Sequence, residues 1–408
     1  MPRFKKMQIL VDRINLVARE ILTGLPVIRA FGREKKEEER FDDANVALTK
    51  NMLFTNRVMT FMMPLMMFIM YGVSILIVWV STDKINTGTI QVGTMTAFIT
   101  YSMQIVMAFL MITMFSVMLP RASVSAERID EVLNTKVSIE DKPDTKANSV
   151  ANGEVAFEHV SFAYPGAKEN VLEDISFVAK TGQTTAIIGG TGSGKTTLVN
   201  LIPRFFDVTK GKVMVDGTDI REMSQESLRE AIGYVPQKGV LFSGTIASNL
   251  RYGKEDATKE QVMDAARIAQ AKEIIDGKKD GLDSAIAQGG SNVSGGQKQR
   301  FSIARAIVKD PKIYIFDDSF SALDYKTDAI LRRELSKKTK EAAVIIVAQR
   351  ISTILHAEQI IVLDEGKVAG IGTHQELFDH CAVYREIAES QLSEADIAKL
   401  KAQGKEVM

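Results

Sequence analysis

A chain of 408 residues exceeds one typical domain and calls for two or three. Its 45% hydrophobic content permits sizeable cores, while 51 basic residues against 51 acidic ones leave no net field that would attract nucleic acid. The lone cysteine, Cys381, excludes an intramolecular disulfide, and four histidines without ligand spacing offer no metal cluster.

Met1 to Arg40 is charged and helix-periodic and has no apolar h-region, so it reads as cytosolic helices rather than a signal peptide, over about residues 1–50. From Val58 to Thr82 no side chain ionises, and the stretch exceeds the roughly 20 residues a helix needs to cross a bilayer. Pro64 inside it is tolerated in a bundle. Asp83 and Lys84 mark a short loop, and a second uncharged stretch runs from about Gly93 to Leu119. The two make a hairpin in the lipid bilayer. Lys50, Arg57, Arg121 and Arg128 flank its outer ends while the loop holds Lys84 alone, so the positive-inside rule places both ends in the cytoplasm. Met59, Met62, Met63, Met66, Met67 and Met70 crowd the first span, and Met103, Met107, Met111, Met114 and Met118 the second. As a set they can line a pocket that repacks around varied apolar ligands, whereas singly they fill helix interfaces or face lipid. Thr100, Gln104 and Thr113 sit at membrane depth and should face a bundle interior. Two spans cannot enclose a pathway, which suggests that the chain is truncated or assembles with further helices.

Glu131 to Gly153 is polar, contains Asp141-Lys142-Pro143-Asp144 and marks a boundary, with a linker at 136–153. An α/β domain is expected over 154–390. Its strand-like runs are Val155 to Phe157, Val160 to Ala163, Thr185 to Ile188, Lys212 to Val215, Ile232 to Val235, Ile313 to Phe316, Ala343 to Val347 and Ile360 to Leu363. With helical patterns between them, these predict a mainly parallel sheet with an antiparallel flank. Ile246 to Val308 reads as a strand-free helical insert, and 391–408 as a charged helical tail without assigned function.

Within that domain the run Thr185 to Ile188 leads into Gly189-Gly190-Thr191-Gly192-Ser193-Gly194-Lys195-Thr196-Thr197, and a helix-compatible stretch follows. This is a P-loop. Its glycines let the backbone curl around phosphates, Lys195 supplies a point charge to the β and γ phosphates, and the Thr196 hydroxyl is placed to ligate Mg²⁺. Ile313-Tyr314-Ile315-Phe316-Asp317 is an apolar strand ending in a carboxylate, the form of a Walker B motif, and Asp317 can hold Mg²⁺ through water.

Further motifs carry a resemblance. Ser294-Gly295-Gly296-Gln297, followed by Lys298-Gln299-Arg300, matches the signature of ATP-binding cassette (ABC) proteins, and Gln237 in Tyr234-Val235-Pro236-Gln237 matches their Q-loop. Ser321-Ala322-Leu323-Asp324 matches the D-loop, and Tyr164 in Phe162-Ala163-Tyr164-Pro165-Gly166 the aromatic loop. Gly24 to Phe31 with Arg40-Phe41 looks like the segment after the second coupling helix of ABC exporters, and the hairpin like their fifth and sixth transmembrane helices, so the chain resembles an exporter half-transporter over nearly its whole length. The resemblance implies a helical membrane hairpin followed by a P-loop NTPase domain with an antiparallel flank and a helical subdomain. It also implies ATP and Mg²⁺ as cofactors, with Tyr164 on adenine, Gln237 reaching Mg²⁺, and Ser294 to Gln297 clamping ATP held by the opposite subunit's P-loop. Such proteins sit in the cell membrane with the nucleotide-binding domain in the cytoplasm, and they close as dimers around two ATP molecules.

Two positions depart from the family. Where it usually has a catalytic Glu after the Walker B aspartate, this chain has Asp318, one methylene shorter. Where it has a switch histidine, Gln349 follows Ala348, and an amide cannot carry a proton. Gln288 also stands where exporters often have Glu. The reading that fits is the degenerate-site half of a heterodimer. Its own P-loop retains ATP, its intact signature completes the competent site of a partner subunit, and that partner's signature is the imperfect one. The expected function is export of small amphipathic, drug-like compounds, with lipid or peptide export as alternatives within the class and a non-transporting ATP-sensing module outside it. An importer's ATPase subunit is disfavoured by the fused hairpin.

Overall fold

The computed structural model describes residues 2–142 and 149–391. Pro143 and Asp144 of the expected linker and the tail after Gln391 lie outside the described residues, as do the side chains of Thr113 and Arg121. The chain divides into two units, Met1–Lys136 and Val137–Met408.

The first unit is three helices, α1 (Pro2–Ala30), α2 (Glu34–Asn86) and α3 (Val92–Leu133). α1 and α2 part at Phe31-Gly32-Arg33, where Gly32 takes a φ of 60° that a side chain resists. Leu10, Val17 and Ala44 are buried where the two helices pack, Arg40 donates to Glu20 at 2.6 Å, and the Asn51 amide donates to the Arg3 carbonyl at 3.2 Å. α2 and α3 are both long and apolar enough to cross a membrane.

The helix limits differ from the span limits read in the sequence. One helix of 53 residues, about 80 Å long, runs out of the charged segment through the first span, because the Glu, Lys and Ala residues ahead of Val58 are good helix formers and nothing breaks the backbone where polarity changes. Likewise α3 carries the second span on to Leu133, into the stretch read as polar boundary. Gln104 is exposed on this hairpin and the Thr100 hydroxyl donates to the Thr96 carbonyl, so this chain alone provides no interior for either.

The second unit opens on a segment that is not a free tether. The Asp141 carboxylate accepts from Gln225 N–H at 3.0 Å, and Arg204 donates to the Glu140 carbonyl at 3.4 Å. The Asp216 carboxylate then accepts four N–H groups in succession, from Ala151, Asn152, Gly153 and Glu154, at 2.8 to 2.9 Å. That knot fixes where the first strand begins.

β1 (Val155–Phe162) is followed by β2 (Leu172–Ala179), β3 (Thr184–Gly189), α4 (Lys195–Leu201), β4 (Lys210–Val215) and β5 (Thr218–Asp219). The antiparallel flank has the order β2-β1-β4-β5. β1 is one strand rather than two, since an irregularity around His159, at φ 49°, absorbs the break in alternation. β2 escaped the sequence reading because Glu173 and Asp174 interrupt its apolar pattern on the exposed side.

After α5 (Gln225–Glu230) and β6 (Ile232–Val235) comes the helical subdomain: β7 (Gly244–Thr245), α6 (Ile246–Arg251), α7 (Lys259–Ile268), α8 (Lys272–Asp276), β8 (Ala285–Ile286) and α9 (Gly295–Lys309). Contrary to expectation it is not strand-free, because β8 pairs with β7 through two residues. The chain ends on β9 (Ile313–Asp317), α10 (Tyr325–Lys338), β10 (Ala343–Val347), α11 (Ile351–Ile354), β11 (Gln359–Asp364), β12 (Lys367–Gly372), α12 (His374–His380) and α13 (Ala382–Gln391). The core sheet has the order β12-β11-β3-β10-β9-β6, parallel except for β12, a glycine-containing strand with no strong sequence pattern. β9 and β10 are buried at every residue, which their unbroken apolar runs required.

Candidate nucleotide site

In this sheet β3, β10, β9 and β6 are neighbours, so the segments leaving their carboxyl ends converge. Those segments are the P-loop after β3, Gln349 after β10, Asp317 and Asp318 at the end of β9, and Gln237 after β6.

The P-loop is shaped by steric exclusion. A Cβ on Gly189 would stand 2.1 Å from the Leu363 carbonyl oxygen, and one on Gly194 2.7 Å from Leu172 Cδ2. Gly192 and Gly194 take φ of 84° and 95°, and Ser193 is buried with its N–H donating to the Gly190 carbonyl at 3.3 Å. Gly190, Thr191 and Gly192 are left exposed. Lys195 folds over this turn, its Nζ donating to the Gly189 and Gly190 carbonyls at 2.8 and 2.6 Å. Burial lowers its pKa, against the opposing pull of the Asp318 and Asp317 charges. A cation resting on main-chain carbonyls beside a concave run of N–H groups is suited to exchange those carbonyls for phosphate oxygens.

Thr196 Oγ1 donates to Asp317 Oδ1 at 3.1 Å, which brings together two hard oxygen donors of the kind Mg²⁺ takes. The neighbouring carboxylate is engaged differently. Asp318 Oδ2 accepts from the Gln349 amide at 2.8 Å and from the Gln237 amide at 3.3 Å. The structure thus joins Gln237 to Asp318 rather than to Asp317. Asp318 sits at φ 44°, its N–H donates to the Val347 carbonyl at 3.0 Å, and its own carbonyl accepts from the Ser321 hydroxyl at 2.9 Å, which ties the strand end to the D-loop.

Asp317 and Asp318 are both buried, and burial raises both pKa values; for Asp317 the Asp318 charge adds to the rise. A carboxyl group held above its ordinary range lowers folding stability as pH climbs from that range through the raised value, and the loss is constant above it. Asp318→Asn, which keeps an acceptor for both amides and tolerates positive φ, is therefore expected to raise Tm at pH 7.5 by roughly 2–4 °C. The gain should shrink as pH falls and vanish below about pH 3, under the ordinary aspartate range, where the wild-type carboxyl is protonated in both states. Thermal unfolding at the two pH values checks this.

Tyr164 stands beside the P-loop, its hydroxyl 3.0 Å from Thr197 Oγ1 and its ring held edge-on by Phe162 and Phe206. Ser294 and Gln297 are used elsewhere: they close a reciprocal capping box at the start of α9, with Gln297 N–H donating to Ser294 Oγ at 3.3 Å and Ser294 N–H to Gln297 Oε1 at 3.1 Å. A Cβ on Gly296 would approach the D-loop carbonyl of Ala322 at 3.2 Å. Asp324 caps α10 through Thr327 N–H at 2.9 Å, a bond that lowers its pKa.

One residue went unread as a site component. Gln299, buried on α9, accepts from Gly239 N–H at 3.0 Å and donates to the Pro236 carbonyl at 3.2 Å, holding the loop that carries Gln237. A glutamine on the buried face of an amphipathic helix was the available signal.

Comparison with known proteins agrees with this geometry. Residues 1–109 match the ABC transporter transmembrane region and residues 172–321 the ABC transporter domain. An uncharacterized ABC transporter ATP-binding protein of Mycobacterium tuberculosis is 46% identical over 97% of this chain and 69% of its own length. A Bacillus subtilis protein named for multidrug export is 37% identical, over 90% of this chain and 63% of that one, and an ATP-dependent lipid A-core flippase of Desulfotalea psychrophila is 35% identical, over 89% and 63%. The solved structure of a bacterial Atm1-family ABC exporter with ATP bound superposes with a TM-score of 0.82 at 29% identity, covering 96% of this chain and 70% of that one. The chain belongs to the ABC transporter family, among the exporters that fuse a membrane-spanning region to a cytoplasmic ATP-binding domain.

Proposed function

We propose that this chain is the degenerate-site half of a heterodimeric exporter of amphipathic, drug-like compounds. The observation that carries the reading is the state of Asp318. Its Oδ2 accepts from two amides, Gln349 and Gln237, neither of which can take up or release a proton at physiological pH. A shortened carboxylate so held is poorly placed to draw a proton from water, while the P-loop and Lys195 remain complete for binding ATP.

In this reading Gly189 to Thr197 and Lys195 cradle the phosphates, and Tyr164 contacts the base. Thr196 and Asp317 hold Mg²⁺, with Gln237 nearby, and the metal when bound neutralises charge on the phosphates. Ser294 to Gln297 and Asp324 serve the partner's nucleotide, so that this half retains ATP while the other turns it over. The expected linker at 136–153 and nucleotide-binding domain at 154–390 are part of the same proposal. Multidrug export is supported by the name of the Bacillus subtilis relative and by the exposed Met63, Met67, Met107 and Met111 of the hairpin, flexible side chains suited to varied ligands. The flippase relative favours a lipid substrate as the second reading.

ATP hydrolysis by the chain, alone and with a candidate partner half-transporter, tests the proposal. Little turnover alone and robust turnover in the pair are expected, abolished by neutralising the partner's catalytic carboxylate and only reduced by Asp318→Ala. Full turnover by this chain alone would overturn it. Stimulation of the pair's hydrolysis by drugs or by lipids separates the two substrate readings.

A further inference from the structure

The last described helix reaches back to the switch loop. α13 is seated in the core by Tyr384 and Ala388, both fully buried, and the Tyr384 hydroxyl lies 2.7 Å from His374 Nδ1. Its final residue, Gln391, uses both ends of its amide on the backbone after β10. Nε2 donates to the Gln349 carbonyl at 2.8 Å, and Oε1 accepts from Ile351 N–H at 2.9 Å. A carbonyl and an N–H two residues apart are the pair that an adjoining strand would engage, so one side chain replaces a rung of a ladder.

What lies between those two bonds gives the clamp its consequence. The Gln349 side chain donates to Asp318, and Arg350 donates to the D-loop carbonyl of Ser321 at 3.3 Å with its guanidinium 5.3 Å from the Tyr325 ring. The backbone bracketed by Gln391 is therefore the backbone from which two side chains reach the Walker B end and the D-loop. Freed of the clamp, Gln349 and Arg350 gain backbone freedom that their contacts must then offset.

We propose that Gln391 is a positioning residue, which fixes the switch loop so that the Gln349 amide stays on Asp318 and nucleotide is held at this chain's own P-loop. The inference rests on the reading of that site as ATP-retaining. Hydrogen exchange at Ile351 and release of ATPγS from the Lys195 site, both measured in the assembled transporter, test it together. In Gln391→Ala the Ile351 amide is expected to exchange roughly tenfold faster, and ATPγS to leave roughly three- to tenfold faster, with Tm within about 2 °C of wild type. Gln391→Glu keeps the acceptor for Ile351 but sets a repelling oxygen against the Gln349 carbonyl, so release should quicken while Ile351 stays protected. Unchanged exchange in Gln391→Ala overturns the clamp, and faster exchange with unchanged release overturns its positioning role. If the wild-type chain proves fully active alone, the retention reading fails. The clamp then predicts a lower kcat at unchanged KM for ATP in Gln391→Ala, and equal kcat overturns it as well.

Discussion

With Asp318→Glu and Gln349→His combined, the chain is expected to hydrolyse ATP at its own site on the order of a hundredfold faster than it does unmodified. The carboxylate regains the methylene that lets it reach the attacking water. The imidazole supplies a group whose pKa permits proton uptake near neutrality, which the Gln349 amide cannot do. The two changes act on one contact, since Gln349 Nε2 and Asp318 Oδ2 are 2.8 Å apart, so each alone should give less than its share of the combined gain. A cost accompanies the gain. Residue 318 sits at φ 44°, where aspartate is more at ease than glutamate, and Tm should fall by a few degrees. In the proposed heterodimer, phosphate release is measured with the other half's catalytic carboxylate neutralised, so that only this site turns over. Turnover no faster than wild type would mean that the two substitutions are not what limits the site.

Most of this site was readable because its parts lie next to features with strong local patterns. Asp317 and Asp318 close an apolar run, Gln349 follows another, and the glycines precede a helix-compatible stretch, so knowing that these strands are parallel neighbours suffices to gather them. The bonds made by Gln299 and Gln391 were not readable, because each is a side-chain amide meeting main-chain groups far along the sequence, which leaves no periodicity behind. The same limit hid the pairing of Gln237 with Asp318, where the residue was identified and its partner was not. In the membrane unit the helix limits were hidden for another reason. Hydropathy marks where a helix meets lipid, whereas helix ends are set by the backbone, and from Glu34 to Asn86 the helix runs on even through Pro64.

The second large effect is expected at the turn itself. Gly189→Ala should lower stability by on the order of 3 kcal/mol, a Tm loss of roughly 10 °C, and abolish nucleotide binding with it. Gly189 pairs with Leu363 of β11, and its added Cβ would lie 2.1 Å from that residue's carbonyl oxygen and 2.8 Å from Ser193 Oγ. The oxygen belongs to Leu363, itself fully buried, so relief requires moving β11 against β12 or opening the P-loop. Gly190→Ala is the control one residue on. A Cβ there meets no atom within 4 Å, and the residue does not take positive φ, so Tm should hold within about 1 °C. Its exposed position on the phosphate side of the loop should nonetheless weaken ATP binding. Thermal unfolding and nucleotide affinity, measured on both variants, separate the two demands expected of adjacent glycines: at Gly189 the fold leaves no room for a side chain, and at Gly190 a bound nucleotide is expected to leave none. Equal thermal losses in the two would mean that the close approach of Leu363 is not what excludes a side chain at Gly189.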